Sequence, residues 1–299
     1  MKQKNSIIYL FVFLAMLFWG MSFVWTSILL KYYQPITIIF IRLILSSAFL
    51  FLIMIGMKRT ERILRKDIPI ILFSAVFNPF LYFLGENYGL KFSSPTITSV
   101  IIATIPVFTP LAAWFFMRER ITWYNFAGIL ISFIGVLIIL VNKQLEFVID
   151  PIGLFFLAGA VISAIIFTVF LKKLSARYSP LTLITFQNFT GIFLFMPFFF
   201  IFEFYDFIKV TPTLSILSSF LFLSILASSL SYVFFAKAIK HLGMSKANVF
   251  SNLIPVFTAI FSFFILSEQF TLMKICGMVI VIAGVYISEV TFRKGSIKF

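Results

Sequence analysis

The stretch Ile105-Pro106-Val107-Phe108-Thr109 occurs again, 149 residues later, as Ile254-Pro255-Val256-Phe257-Thr258. The same offset pairs Glu119 with Glu268, Thr122 with Thr271, Gly128 with Gly277, and Gly135-Val136 with Gly284-Val285. A run of matches at one fixed offset marks an internal repeat. Both prolines fall near the middle of apolar segments long enough to span a bilayer. A mid-span proline lacks a backbone donor and clashes with the carbonyl four residues back, here that of Ile102 or Ser251. Irregular backbone at membrane depth is tolerated only against protein or a water-filled cavity. Pro106 and Pro255 therefore predict two symmetry-related, kinked helices beside one central cavity.

Composition agrees with membrane insertion. The chain is 62% hydrophobic and 11% charged, with a mean hydropathy of +1.11. A soluble domain carries about 25% charged residues. Apolar runs of roughly 20 residues select helices over the short alternating strands of a barrel. The net charge of +14 does not indicate nucleic acid, because the basic residues sit in short loops between apolar runs. The single cysteine, Cys276, excludes an internal disulfide, and the single histidine, His241, excludes a histidine metal cluster. Ile7–Leu30 is too long for a signal-peptide core and lacks a small-residue cleavage site, so it reads as a retained first helix.

The expected architecture is an all-α integral membrane protein of ten transmembrane helices, arranged as two inverted five-helix repeats. The spans run near 6–30, 35–57, 68–89, 95–117, 122–141, 151–171, 180–202, 212–237, 243–266 and 271–288. The repeats divide the chain into residues 1–142 and 143–299. Lys2, Lys4, the Lys58–Lys66 cluster, Arg118, Arg120, Lys172, Lys173, Arg177, Lys237, Lys240, Lys246, Arg293, Lys294 and Lys298 fall on one side. Lys31, Lys91, Lys143, Lys209 and Lys274 fall on the other. The basic side is cytoplasmic by the positive-inside rule, so both termini are expected inside a cytoplasmic (inner) membrane. Five spans per half invert the second copy, with the pseudo-two-fold axis in the membrane plane. A weaker match at offset 145, Tyr33-Gln34-Pro35 with Tyr178-Ser179-Pro180, extends the repeat to the second and seventh spans.

Polar residues at helical spacing mark inward faces. The third span carries Ser74, Asn78, Tyr82, Gly85, Glu86 and Gly89. The ninth carries Asn248, Ser251, Asn252, Pro255, Thr258 and Ser262, and its mate, the fourth, carries Ser99 and Pro106. The eighth has Ser224, Ser228 and Ser231, and the first has Trp19, Ser22 and Thr26. The fifth and tenth carry glycines seven residues apart instead. Small and hydroxyl residues also serve simple helix packing, whereas two asparagines and a proline on one face favour a hydrated cavity. The candidate substrate-binding set is Trp19, Ser22, Asn78, Tyr82, Glu86, Ser99, Ser231, Asn248, Ser251 and Asn252. Glu86 is the carboxylate well within a span, and an ionisable group there is functional by default. Arg42, whose repeat mate is Gln187, either snorkels outward or faces the bundle. Glu119 and Glu268 each precede a threonine able to cap the next helix.

Two five-span halves, Phe18-Trp19-Gly20, and the pattern Pro106…Glu119…Gly128…Gly135 repeated as Pro255…Glu268…Gly277…Gly284 resemble the EamA-type family of the drug/metabolite transporter superfamily. The resemblance covers nearly the whole chain. It implies a central cavity lined by spans one, three, four, six, eight and nine, peripheral spans five and ten, and secondary transport, often export of amino acids. Glu86-Asn87 departs from the small apolar residues common there. It points to a charged ligand group or to proton coupling.

The expectation is a non-enzymatic secondary transporter of small molecules, working by alternating access in the lipid bilayer as a monomer or homodimer. It needs no cofactor and binds no nucleic acid. The alternative is a lipid flippase or scramblase. Intramembrane protease chemistry lacks its His-Glu-x-x-His or Gly-x-Gly-Asp motif, and no Walker motif is present to use ATP.

Overall fold

The computed structural model describes residues 2–58, 61–109, 123–141, 149–175, 177–242 and 250–290. The helices are α1 (Lys2–Leu29), α2 (Pro35–Gly56), α3 (Arg65–Lys91), α4 (Pro95–Thr109) and α5 (Trp123–Leu140). They continue as α6 (Pro151–Ser175), α7 (Pro180–Lys209), α8 (Leu214–Ala238), α9 (Phe250–Leu266) and α10 (Leu272–Val290). Among the described residues, α1, α2, α3, α5, α6, α7 and α8 are long and apolar enough to cross a membrane. The others are shorter apolar helices. The molecule is a multi-pass helical membrane protein.

Local sequence sets the helix starts. α2, α4, α6 and α7 begin at the predicted prolines, where the missing N–H costs nothing and φ is preset. Ser94 and Ser179 cap α4 and α7 by accepting from Ile97 N and Thr182 N, and Asp150 accepts from Ile152 N at 2.8 Å. The residue before α2, Gln34, makes no such bond. Glu203, from α7, supplies it instead, accepting from Ile36 N (3.2 Å), Thr37 N (2.6 Å) and Thr37 Oγ1 (2.7 Å). A buried carboxylate at a helix N-terminus is stabilised by the orphan N–H groups and the positive dipole end.

Three long helices are not regular. In α3 the backbone of Asn78 is extended (φ −143°, ψ 116°), followed by Pro79, within a wide turn at Val76–Leu81. A proline disfavours helical geometry at the residue before it and removes a donor. In α8 the turn Leu223–Leu230 is also wide. The serine-rich run fills it, with Ser228, Ser229 and Ser231 hydroxyls donating to carbonyls five residues back at 3.1, 2.9 and 2.9 Å. α7 widens at Phe199–Glu203, just past Pro197. α4 is interrupted after Ile102, at Ala103-Thr104, ahead of Pro106.

These irregularities correct the expectation of one uninterrupted polar face on the third span. Above the break Ser74 accepts from Gln187 of α7 at 3.1 Å. Below it Gly85 and Gly89 face α6. A Cβ on Gly85 would lie 2.5 Å from the Phe156 carbonyl, and one on Gly89 2.4 Å from the Leu157 side chain. Tyr82 and Glu86 belong to a different side of the same short helix. α7 also outruns its expected end at 202, reaching Lys209.

α5 and α10 pack on each other along the glycines. A Cβ on Gly135 would be 2.8 Å from the Gly277 carbonyl, and one on Gly284 2.8 Å from that of Gly128. Residue numbers rise along one helix as they fall along the other, so the pair is antiparallel. Glycine lets the backbones touch, and Ser132 Oγ donates to Val281 O across the seam at 3.3 Å. Elsewhere α1 lies against α8 and α9, while α6 lies against α3 and α4.

Candidate functional site

Arg42 is turned into the bundle, 3% exposed, so the snorkelling alternative does not hold. Its Nη1 lies 3.6 Å from Glu86 Oε2, its Nε donates to Ser228 Oγ, and its guanidinium stacks 4.0 Å from the Phe83 ring centroid. Tyr82 OH donates to the other Glu86 oxygen at 2.9 Å. Three helices, α2, α3 and α8, thus converge on one buried ion pair. A charge removed from water needs both a counter-charge and hydrogen bonds to persist, and each member has both.

An aromatic wall adjoins the pair. Tyr232 lies close enough to Arg42 and Glu86 to feel both charges, with the Asn78 side chain nearby. Trp19 packs edge-on against Tyr232 and Phe235, with ring centroids 5.1 Å away in both cases. Its indole N–H donates at 3.1 Å to the Ala227 carbonyl, inside the wide turn of α8. Trp19, Asn78, Tyr232 and Phe235 are each half-buried, whereas Arg42 and Glu86 are buried. Behind Arg42 a second polar layer joins α2, α7 and α8. Ser46 contacts Ser229 at 2.8 Å, and Asn188 donates to Ser46 Oγ at 2.9 Å and to Ser228 O at 3.4 Å.

Of the predicted set, Trp19, Asn78, Tyr82 and Glu86 come together. Three predicted hydroxyls are turned onto their own helices. Ser22 donates to Trp19 O (2.6 Å), Ser99 to Thr96 O (2.8 Å) and Ser231 to Leu226 O (2.9 Å). Ser251 and Asn252 are buried in the short turn that opens α9, and Asn252 Oδ1 has no hydrogen-bond partner among the described residues. Asn248 and Glu119 lie outside the described residues. Pro255 is buried just past the turn that opens α9, at the start of its regular part Leu253–Leu266, and Pro106 is half-buried just past the interruption of α4. In both copies of the motif the threonine donates back to the isoleucine carbonyl, Thr109 to Ile105 and Thr258 to Ile254, at 2.9 Å each. Thr258 also reaches Gly20 O of α1 at 3.0 Å. Gly20 permits that approach, since a Cβ there would lie 2.6 Å from Phe257 Cβ.

The predicted set omitted the second and seventh spans, which supply Arg42, Ser46, Gln187 and Asn188. The available signal was the polar pair Arg42 and Gln187 at matched repeat positions. Glu268, which precedes the expected capping threonine, accepts from Thr96 at the start of α4 (2.8 Å) and pairs with Lys274 (3.0 Å). The cap of α10 is Thr271, which accepts from Lys274 N at 3.3 Å. Burial alone would raise the Glu268 carboxyl, but hydrogen bonds from Ser94, Thr96 and Lys274 and the Lys274 charge outweigh it and hold it below its ordinary value.

The chain is thus a multi-pass helical membrane bundle with a buried ion pair beside aromatic side chains. The sequence profile of the EamA-like transporter family matches residues 6–141 and 151–289, and the chain belongs to that family. An uncharacterized transporter of Archaeoglobus fulgidus is 28% identical over 279 residues, covering 92% of this chain and 95% of that protein. The uncharacterized transporter YetK of Bacillus subtilis is 26% identical over 251 residues, covering 83% of this chain and 76% of that protein. A protein known from its crystal structure shares the fold, with a TM-score of 0.69, 15% identity, and coverage of 94% of this chain and 97% of that one. At the family level the relatives are transporters rather than enzymes.

Proposed function

We propose that this protein is a secondary active exporter of amino acids or related small metabolites. It works by alternating access around a central site between two inverted five-helix halves, residues 1–142 and 143–299. Glu86 is the carboxylate that exchanges a proton against the substrate. The observation that carries this reading is the Arg42–Glu86 pair, two opposite charges from different helices, buried beside half-accessible aromatic groups. Ionisable groups inside a bundle characteristically mark substrate and proton pathways.

The repeat is supported by the α5–α10 seam. The offset of 149 makes Gly277 the mate of Gly128, and Gly284 the mate of Gly135. Exchanging the halves converts the Gly135–Gly277 approach into Gly284–Gly128, and both are present. The same exchange turns the seat of α1 on α8 and α9 into that of α6 on α3 and α4. Two antiparallel helices related in this way place the two-fold axis perpendicular to them.

Two measurements test the proposal. In proteoliposomes, Glu86→Gln keeps the Tyr82 hydrogen bond but removes the titrating group. It is expected to abolish pH-gradient-driven transport in a protein that still folds, although with lower stability. Among the described residues, Arg42, Tyr82 and Tyr232 are the charged or titratable groups near Glu86, so a retained pH dependence in the variant would move coupling away from this carboxylate. Topology is tested in a Cys276→Ser background. A Lys143→Cys reporter should label from outside and an Arg62→Cys reporter from the cytoplasm. Labelling of both from one side would end the inverted arrangement.

A further inference from the structure

We infer that the Arg42–Glu86 pair is a receptor for a small zwitterion carrying its two charges on neighbouring atoms, as a neutral α-amino acid does. The substrate carboxylate seats on Arg42 and its ammonium on Glu86. This deepens the transporter reading, on which it rests for the existence of a substrate, by assigning each charge of that substrate to one side chain.

Three observations lead here. First, the two charges face each other loosely. At 3.6 Å their contact is longer than the roughly 2.7–2.9 Å of a charge-assisted hydrogen bond. Parting them costs less than breaking a bidentate fork would. Secondly, each is held from behind by groups that leave its charged edge facing the other. Ser228 takes Arg42 Nε and Phe83 covers the guanidinium face, while Tyr82 takes one Glu86 oxygen. A guanidinium so fixed retains the paired geometry that suits a carboxylate. Thirdly, the groups beside the pair are aromatic and neutral. Trp19 packs edge-on against Tyr232, Tyr82 holds one Glu86 oxygen, and Trp19, Asn78 and Tyr232 are half-buried. Such a wall accepts an ammonium and the apolar body attached to it.

Charge balance then sets selectivity. The pair is neutral overall. A monocation or monoanion entering it adds an uncompensated charge at membrane depth, whereas a zwitterion exchanges one ion pair for two and adds none. Protonating Glu86 removes the partner of the ammonium, which ties release of the substrate to the proton exchange proposed above.

The test uses the purified full chain in detergent and a panel of neutral α-amino acids. Each is compared with its decarboxylated amine and its deaminated acid, by ligand-induced thermal stabilisation. At least one amino acid is expected to bind, with both of its analogues weaker by about tenfold or more, the worth of one charge-assisted hydrogen bond. Arg42→Gln should erase the preference for the amino acid over its amine. Glu86→Gln should erase the preference over the acid, and Arg42→Lys should retain binding if Arg42→Gln fails to fold. A merely structural ion pair would weaken all three ligands together. No binding by any amino acid, or amines binding as well as amino acids, would overturn the inference. Zwitterions that bind in detergent but are not carried into proteoliposomes would defeat the transporter reading and leave the receptor standing. Transport of singly charged solutes in the wild type would do the reverse.

Discussion

Arg42→Met on its own should destabilise the folded protein by about 3–5 kcal/mol, the usual penalty for leaving one member of a buried ion pair without its partner. Glu86 would then keep only the Tyr82 hydroxyl among its described partners. Glu86→Gln alone leaves the guanidinium with Ser228 and the Phe83 ring, and should be costly for the same reason. The double variant Arg42→Met/Glu86→Gln carries no buried charge and fills nearly the same volume. It should recover most of the stability while remaining inactive in transport. Thermal or denaturant unfolding of the four proteins gives the coupling directly. If the double variant loses the sum of the two single losses, the pair is not an energetic unit and the site drawn around it is wrong.

The second large effect is expected at the α5–α10 seam. Gly284→Leu should separate the two helices. Even Gly284→Ala should cost about 1–3 kcal/mol, the usual range for an overpacked site. The reason is that the new Cβ meets backbone rather than a yielding side-chain tip. Ser132 N would be 2.6 Å away and the Gly128 carbonyl 2.8 Å. Gly159 on α6 is the internal control, since a Cβ there has nothing within 4 Å. Gly159→Ala should be neutral or slightly stabilising, because alanine is the better helix former. Equal melting temperatures for Gly284→Ala and Gly159→Ala would show that the close approach does not hold α5 and α10 together.

Much of the fold follows from local sequence. Hydropathy located the membrane helices, and Pro35, Pro95, Pro151 and Pro180 placed four of their starts, because proline at the first helical position needs no partner from elsewhere. The interruption ahead of Pro106 and an ionisable Glu86 inside a span were also readable. A missing N–H and an ionisable group in an apolar run are properties of the residues themselves. The wide turns at Val76–Leu81 and Leu223–Leu230 were not anticipated, although Asn78-Pro79 and the serine run are their local causes.

Spacing along a helix says which residues share a face only while the helix stays regular, and it does not say which neighbour that face meets. The extended backbone at Asn78 therefore separated Ser74 from Glu86. Ser22, Ser99 and Ser231 had carbonyls of their own helices within reach, so their polarity carried no information about a cavity. The sequence by itself determined that this is a helical membrane protein with an internal repeat and one suspicious carboxylate. Only the tertiary structure decided that Arg42 is its partner, that Glu203 caps a helix 166 residues away, and that Glu268 serves α4. In lipid the apolar faces of neighbouring helices are nearly equivalent, so close packing and the pairing of buried polar groups set each helix's rotation. Those pairings join residues that lie far apart in the chain.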